Sequence, residues 1–159
     1  MYKDLLDEIQ SLVIDERNFV VNASNFVAHL FSKMPDVSWI GFYLLSEDSL
    51  LIGPYQGKPA CVRLHKNKGV CWASVNKREV VNVDNVHEFP THVVCDAEAN
   101  SEIVIPLIKN GLIYGVLDLD SHSLARFTHD DALNLRKLVD LLVNASDMYA
   151  IGKFYGKAY

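Results

Sequence analysis

The sequence predicts a single α+β domain with a largely antiparallel sheet. Apolar residues recur at helical spacing near both ends of the chain, whereas the apolar segments between them are rich in β-branched and aromatic residues. Two of these segments flank Asn110-Gly111, which is the strongest short hairpin signal in the sequence. A chain of 159 residues is most simply one domain.

The N-terminal part predicts two helices over residues 2–34. A break is expected near Ile14–Arg17, and Met34-Pro35-Asp36 is expected to end the second helix. The apolar stripe of the first helix consists of Leu5, Leu6, Ile9, Leu12 and Val13. The stripe of the second helix consists of Phe19, Val20, Phe26, Val27, Leu30 and Phe31.

Residues 37–121 are predicted to form the sheet and the loops that carry the chemistry. WIGFYLL (39–45) is typical of a strand, and Leu50–Ile52 begins a short one that Gly53-Pro54 is expected to end. The irregular middle is expected to contain a short helix over Gly69–Asn76 and a short strand over Val80–Val83. The hairpin strands are Ile103–Ile108 and Leu112–Leu119.

A last helix is predicted over residues 129–149. Thr128 followed by Asp131 resembles a capping box, in which the two residues satisfy each other's backbone N–H groups. The sequence pattern predicts no role for the tail MYAIGKFYGKAY (148–159).

Charge and hydropathy argue against nucleic acid or a membrane as the main partner. The net charge is −5, and no basic cluster is longer than Lys77-Arg78. No apolar run approaches the length of about 18 residues that a spanning helix needs. The N-terminus is amphipathic and carries acids early, unlike a signal peptide. We therefore expect a cytoplasmic protein, in which a disulfide is transient and catalytic rather than structural.

Three cysteines, Cys61, Cys71 and Cys95, lie in the irregular middle of the chain. Any one of them alone is readily explained as a small buried hydrophobe. Three within 35 residues favour redox chemistry. The alternative is a structural zinc site with His87 and His92, but no cysteine pair has the Cys-x(2–4)-Cys spacing. We expect no bound metal and no bound cofactor.

Three carboxylates, Glu102, Asp118 and Asp120, lie in or beside strongly apolar segments. Asp118 and Asp120 share one face of their strand because side chains alternate with period two, which turns Leu117 and Leu119 toward the core. The plainer interpretation is that these acids are solvated at strand ends. If they converge instead, they form a receptor for an ammonium group.

The aromatic residues of WIGFY (39–43) also share a strand face. Trp39 and Tyr43 lie on either side of Gly41 on that face. Core packing explains them equally well. The functional interpretation is an aromatic wall with a gap at Gly41 that holds a methyl group or a polarisable sulfur.

Together, these motifs resemble the family of free methionine-(R)-sulfoxide reductases. The stretches in question are WIGFY (39–43), GPYQGKPACVRL (53–64), GVCWA (69–73), DNVHEFPTHVVCD (84–96), SEIVIP (101–106) and GVLDLDS (115–121). The resemblance implies a single GAF domain spanning 1–159, with a central antiparallel sheet of about six strands. The terminal helices would lie on one face of this sheet and a loop-covered ligand pocket on the other.

The resemblance also implies unequal roles for the thiols. Cys95 would attack the sulfoxide sulfur, Cys61 would be the main resolving cysteine, and Cys71 would be an alternate partner or relay. A thiolate needs a lowered pKa or a nearby base, and His92 is a candidate source of that effect, although it more simply shapes the loop. The resulting disulfide would be reset by thioredoxin, with NADPH consumed through thioredoxin reductase.

By the same resemblance, Glu102, Asp118 and Asp120 would bind the α-amino group of free L-methionine (R)-S-oxide and help to protonate its oxygen. Trp39 and Tyr43 would line the side that receives the S-methyl group. The R preference follows from the family alone. A role in oxidative stress follows from the reaction, and the apolar terminal helices make a homodimer plausible.

The chain departs from the family pattern at Trp72 and Thr91, where glycine is common. Trp72 is expected to restrict Cys71, and Thr91 to remove a position of free φ from the loop that carries Cys95. The alternative function is a non-catalytic GAF sensor that binds a small molecule in the same pocket.

Overall fold

The computed structural model describes residues 1–156, so that residues 157–159 of the predicted domain lie outside the described part. In chain order the elements are α1 (Tyr2–Val13), α2 (Phe19–Lys33), β1 (Trp39–Ser46), β2 (Ser49–Gln56), β3 (Arg63–His65), α3 (Gly69–Lys77), β4 (Val81–Val83), a 3₁₀ turn (Val86–Glu88), β5 (Ser101–Lys109), β6 (Leu112–Ser121), α4 (His129–Ala145) and α5 (Met148–Tyr155).

The strands form one six-stranded sheet in the order β3-β2-β1-β6-β5-β4, and every neighbouring pair is antiparallel. The α+β class and the strand number are confirmed. β1 and β6 lie at the centre, and they are far apart in the sequence: Trp39 pairs with Asp120 and Gly41 with Asp118. The central pairing thus places the carboxylate strand beside the aromatic strand.

Each face of the sheet packs against its own apolar cluster. Helices α1, α2 and α4 cover one face, where Ile40, Phe42 and Leu44 of β1 and Leu117 and Leu119 of β6 are buried. The other face carries Trp39, Tyr43 and Leu45 with α3 and the loops. The alternation predicted for β1 and β6 is confirmed, and the terminal helices lie opposite the loop-covered face, as predicted.

Strand β2 differs from its prediction, because it continues through Gly53-Pro54 instead of ending there. The register of β1 against β2 shifts between Gly41 and Tyr43, so the proline lies at a bulge. β3 pairs with β2 only at 49–51, so the opposite edge of β2 has no strand partner at the proline. Proline has no backbone N–H to donate, but at a bulge on a strand with one free edge no hydrogen bond of the sheet requires one.

The hairpin between β5 and β6 forms as predicted. Asn110 (φ 52°) and Gly111 (φ 78°) both adopt the left-handed conformation, which a two-residue type I′ turn requires. The Thr128–Asp131 capping box is also present. The predicted helix over 129–149, however, is divided between α4 and α5. Asp147 caps α5 by accepting the backbone N–H of Ala150.

Among residues 1–156, no helix is both long and apolar enough to cross a membrane.

We expect Gly115→Ala to destabilise the fold by roughly 3 kcal/mol. Gly115 has φ 157° in the centre of β6, and an added Cβ would lie 2.2 Å from the backbone oxygen of Tyr43 on β1. The two central strands would have to separate locally. Urea unfolding measures the loss. Gly111→Ala is the control: its Cβ would meet nothing within 4 Å, so only the cost of its φ, about 1 kcal/mol, is expected. An equal decrease in the free energy of unfolding of the two variants would show that the added Cβ at residue 115 does not clash with β1.

Candidate active site

A pocket opens on the loop-covered face of the sheet and is lined by all the predicted site residues except Cys61. Its floor is formed by β1, β5 and β6, and its walls by α3 and the two loops that precede β3 and β5. The predicted residues that line it are Trp39, Tyr43, Cys71, Cys95, Glu102, Asp118 and Asp120, and Cys61 follows Ala60 on the rim.

Two of the three cysteines are joined. Cys61, between β2 and β3, forms a disulfide with Cys95, which lies in the long loop before β5; their Cα atoms are 5.4 Å apart. Both residues are half-buried. Cys71 is free, is buried in the first turn of α3 and lines the pocket below. The disulfide therefore ties together the two loops above the pocket while one thiol remains inside it.

The carboxylates converge on the pocket floor. Glu102 on β5 is directly opposite Asp120 on β6, and Asp118 is two residues further along the same face. Glu102 and Asp118 are each only 6 % exposed, so solvated strand ends are the wrong interpretation for these two. Like charges directly opposite each other on adjacent strands are destabilising. An arrangement of this kind is typical of functional sites.

Burial and mutual repulsion hold protons on these acids. Burial raises the pKa of Asp118 to about 7, although hydrogen bonds from Glu102 and Cys71 oppose the shift. Burial, reinforced by the charges of Asp118 and Asp120, raises the pKa of Glu102 well above its usual range. The pKa of Asp120 is raised by burial and by Asp118. The cluster is thus a store of protons close to neutral pH.

The environment of Cys71 keeps it a thiol. Burial raises its pKa well above the ordinary value, and the charges of Asp118 and Glu102 raise it further. A thiolate is the reactive form of cysteine, so this site does not favour Cys71 as the nucleophile. Trp72, next to it, is buried and donates from Nε1 to the backbone oxygen of Leu64 at 3.1 Å. That bond fixes α3 against β3 and so fixes the position of Cys71.

The aromatic wall is present, but the predicted gap at Gly41 is not. The Trp39 ring fills the space beside Gly41: a Cβ there would lie 2.3 Å from the indole. Trp39 also stacks between Tyr43 and Tyr55, with ring centroids 5.8 Å and 5.4 Å away. Glycine at this position admits the indole, so the interpretation of a gap for a methyl group is wrong.

Trp39 and Tyr43 also hold the loop that carries Cys61. The indole N–H of Trp39 donates to the backbone oxygen of Lys58 at 3.0 Å, and the hydroxyl of Tyr43 donates to that of Cys61 at 2.8 Å. Neither contact was predicted from the sequence, and neither Tyr55 nor Lys58 was among the predicted site residues. Simple alternation along β2 does not predict Tyr55, because the bulge at Gly53-Pro54 brings it to the face of Leu50 and Ile52. Nothing in the sequence pointed to Lys58.

The loop that carries Cys95 is fastened at several points. Thr91 accepts the backbone N–H of Gly69 at 3.3 Å, so its side chain ties this loop to α3. His92 lies with Nε2 3.9 Å from Oε2 of Glu102, and burial lowers its pKa. His92 therefore faces the carboxylates. Lys58 pairs with Glu98 at 3.0 Å on the surface, which links this loop to that of Cys61.

Within the described residues, two groups of donor atoms are compact enough to hold a metal ion: Cys71, Glu102 and Asp118, and Asp96, Glu98 and His122. Neither group includes His87 or His92. Since Cys61 and Cys95 form a disulfide, the zinc site considered from the sequence has no structural support.

Comparison with known proteins gives consistent matches. The family model described as GAF domain matches residues 22–146. Free methionine-R-sulfoxide reductase of Escherichia coli (strain K12) is 44% identical over 138 residues, which are 87% of this chain and 84% of that protein. The enzyme of that name from Saccharomyces cerevisiae is 39% identical over 76% of this chain and 70% of its own length.

A solved structure shares both the fold and the sequence pattern. The X-ray structure of free methionine-R-sulfoxide reductase from Neisseria meningitidis, in complex with its substrate, superposes with a TM-score of 0.88 at 36% identity. The match covers 97% of this chain and 91% of that one.

Proposed function

Since the chain belongs to the free methionine-R-sulfoxide reductase family of GAF-domain proteins, we propose that it reduces free L-methionine (R)-S-oxide to L-methionine with an external dithiol. The single observation that carries the proposal is the Cys61–Cys95 disulfide above a pocket floored by three acids. The thiol pair that forms this disulfide supplies the two electrons that reduce the sulfoxide. The acids bind the substrate ammonium and supply the proton for the sulfoxide oxygen.

The thiol chemistry proceeds in three steps. The thiolate of Cys95 attacks the sulfoxide sulfur, and the oxygen is protonated. The hydroxyl then moves from that sulfur to Sγ of Cys95, which breaks the substrate S–O bond and the transient S–S bond. Methionine leaves, and a sulfenic acid remains on Cys95. The thiol of Cys61 then displaces water from the sulfenic acid and forms the disulfide. An external dithiol reduces this disulfide, so that one sulfoxide and one dithiol yield methionine, water and one disulfide.

The proton donor in this scheme is Asp118. A sulfoxide oxygen leaves readily only when it is protonated, and the best general acid has a pKa near the working pH. The pKa of Asp118, raised by burial to about 7, meets that condition. Glu102 and Asp120, opposite each other on β5 and β6, are assigned to the substrate ammonium. Binding one positive charge between them relieves their mutual repulsion.

The ammonium contact also selects free methionine sulfoxide over a peptidyl residue. A residue within a protein has no α-ammonium to offer the carboxylates. Glu102 and Asp118 are buried on the floor of a pocket beneath loops, where the chain that flanks a peptidyl residue would have to pass. The R preference is taken from the family.

The test is an assay with racemic free methionine sulfoxide, thioredoxin, thioredoxin reductase and NADPH. Consumption of NADPH should stop near half of the racemate, and N-acetylmethionine sulfoxide, which lacks the ammonium, should not be reduced. No consumption from folded protein would reject the reductase and favour the non-catalytic GAF sensor.

We expect Glu102→Gln to raise KM for free methionine sulfoxide by about 10- to 100-fold, because a neutral amide replaces a charge-assisted partner of the ammonium. Steady-state kinetics with saturating thioredoxin measures the change. Glu98→Gln is the matched control, since Glu98 is exposed and pairs with Lys58 outside the pocket. Its KM should equal that of the wild type. An unchanged KM in Glu102→Gln would remove Glu102 from the ammonium site.

Four further parts of the proposal concern the reductant, the compartment, the physiological role and the oligomeric state. Thioredoxin is proposed as the reductant and the cytoplasm as the compartment, where a disulfide of this kind is transient. The reaction would serve recovery from oxidative stress.

A homodimer is proposed on the apolar surface formed by the start of α2 and by α5, where Val20 is 47% and Phe154 81% exposed. Analytical ultracentrifugation tests the dimer.

A further inference from the structure

The floor of the pocket contains a compact set of donor atoms that includes one thiol. Sγ of Cys71, one oxygen of Glu102 and one oxygen of Asp118 all lie within 4.8 Å of one another, and all three residues are buried. Oδ1 of Asp118 is buried without a hydrogen-bond partner. A buried oxygen left unpaired is costly unless a bound group contacts it. Asp118 and Cys71 line the same pocket.

The chemistry of the donors favours a particular class of ion. A thiolate is a soft ligand that selects Zn²⁺ or Cd²⁺ over Mg²⁺ and Ca²⁺, which need six or more oxygen ligands. Three protein ligands with an open fourth position form an ordinary tetrahedral zinc arrangement. The N-terminal turn of α3 and the two sheet strands hold these three residues in place, so little chain movement is needed to bring them together.

We infer that Cys71, Glu102 and Asp118 form a binding site for a thiophilic divalent cation, Zn²⁺ or Cd²⁺, that competes with the substrate ammonium for Glu102. Binding forms one metal–sulfur and two metal–oxygen bonds, and it releases to solvent the proton of the Cys71 thiol and the protons that Glu102 and Asp118 hold. No oxidation or reduction is involved. The cation is an inhibitor rather than a cofactor, and this competition rests on the proposed function.

The other compact donor group does not offer the same site. In the group of Asp96, Glu98 and His122, Oδ1 of Asp96 accepts the backbone N–H of Glu98, and Oδ2 contacts His122. Glu98 is already paired with Lys58. These residues are partly or fully exposed, and neither oxygen of Asp96 is without a partner.

The oxidised protein gives a clean test because Cys71 is then its single thiol. Titration with Cd²⁺ should produce the ultraviolet sulfur-to-cadmium charge-transfer band with one equivalent bound. Asp118→Asn keeps the thiol and should weaken Cd²⁺ binding by about 10- to 100-fold. Glu98→Gln should bind as the wild type does. Absence of the band in the wild type, or equal affinity in Asp118→Asn, would overturn the inference.

Competition completes the test. Free L-methionine carries the same ammonium and should displace Cd²⁺ from the wild type, which calorimetry measures as an affinity lower than chelation of Cd²⁺ by methionine in solution accounts for. A decrease that this chelation fully explains would overturn the shared site. The two proposals fail separately: turnover without a cadmium band rejects the cation site alone, whereas a cadmium band without turnover rejects the reductase alone.

Discussion

Replacement of Cys95 by serine is expected to lower turnover of free methionine sulfoxide by about 10³-fold or more, to the background of the assay. A serine hydroxyl has nearly the shape of the thiol, but it is neither ionised nor nucleophilic toward sulfur at neutral pH. Cys95 lies in the half-buried loop at the pocket edge, where a thiolate can be solvated, whereas Cys71 is enclosed among acids. The same NADPH-coupled assay measures the loss.

Cys61→Ser and Cys71→Ser are the matched controls for this prediction. Without external reductant, reduced wild-type protein and Cys61→Ser should each release one methionine per chain, because the attack needs only Cys95. Cys61→Ser should then retain a sulfenic acid that dimedone traps. Cys71→Ser should also release one methionine per chain. Turnover that survives Cys95→Ser would transfer the role of nucleophile to Cys71 or Cys61.

Local patterns in the sequence were sufficient for the elements that carry the site. Asn110-Gly111 fixed the hairpin because both residues tolerate the left-handed backbone. Period-two alternation placed Asp118 on the face opposite Leu117 because β6 is a regular strand with an apolar cluster on each side. Side-chain alternation is a property of the backbone, so it is readable before any tertiary contact is known.

The features that the sequence did not reveal depend on three-dimensional contacts that no periodicity describes. Pro54 interrupts a strand in isolation, but a bulge opposite Phe42 accommodates it. The gap at Gly41 is filled by the ring of Trp39, two residues away on the same strand face. The bond from Tyr43 to the backbone of Cys61 involves a loop whose path no periodicity describes. Loop geometry follows from what the loop contacts, and sequence patterns do not encode those contacts.

The acids show how the site opposes the stability of the fold. Glu102 faces Asp120 across adjacent strands, and Asp118 is buried beside them. An apolar residue at any of these positions would pack on the same surface as Tyr43 and Val116 without the cost of a buried charge. A substitution at Asp118 should therefore separate the two effects.

Asp118→Asn is expected to stabilise the folded protein at pH 8 while removing most of its activity. Burial raises the pKa of Asp118 to about 7 in the folded state, well above its ordinary value. The protonated carboxyl of Asp118 contributes stability that is fully present below the pKa of Asp118 in the unfolded chain. This stability is lost as the pH rises through about 7, the pKa of Asp118 in the folded state. Above that pH the charged carboxylate costs on the order of 3 kcal/mol, which the neutral amide avoids.

Urea unfolding of oxidised protein at pH 5 and pH 8 measures the stability difference, which should be several times larger at pH 8. Asp96→Asn is the control of opposite sign. The backbone N–H of Glu98 lowers the pKa of Asp96, so loss of that carboxylate should slightly destabilise the protein at pH 8.

Activity should change in the other direction for the same physical reason. If Asp118 supplies the proton, kcat/KM of the wild type falls as the pH rises through about 7, because the acid form is lost. Asn cannot donate an equivalent proton, so kcat/KM should drop by about 10²- to 10⁴-fold, and this limb of the pH profile should disappear. A variant that retains both the rate and the descending limb would assign the proton to Glu102 or Asp120 instead. If kcat/KM of the variant falls but its free energy of unfolding at pH 8 does not rise, the charge of Asp118 is already solvated in the wild-type pocket.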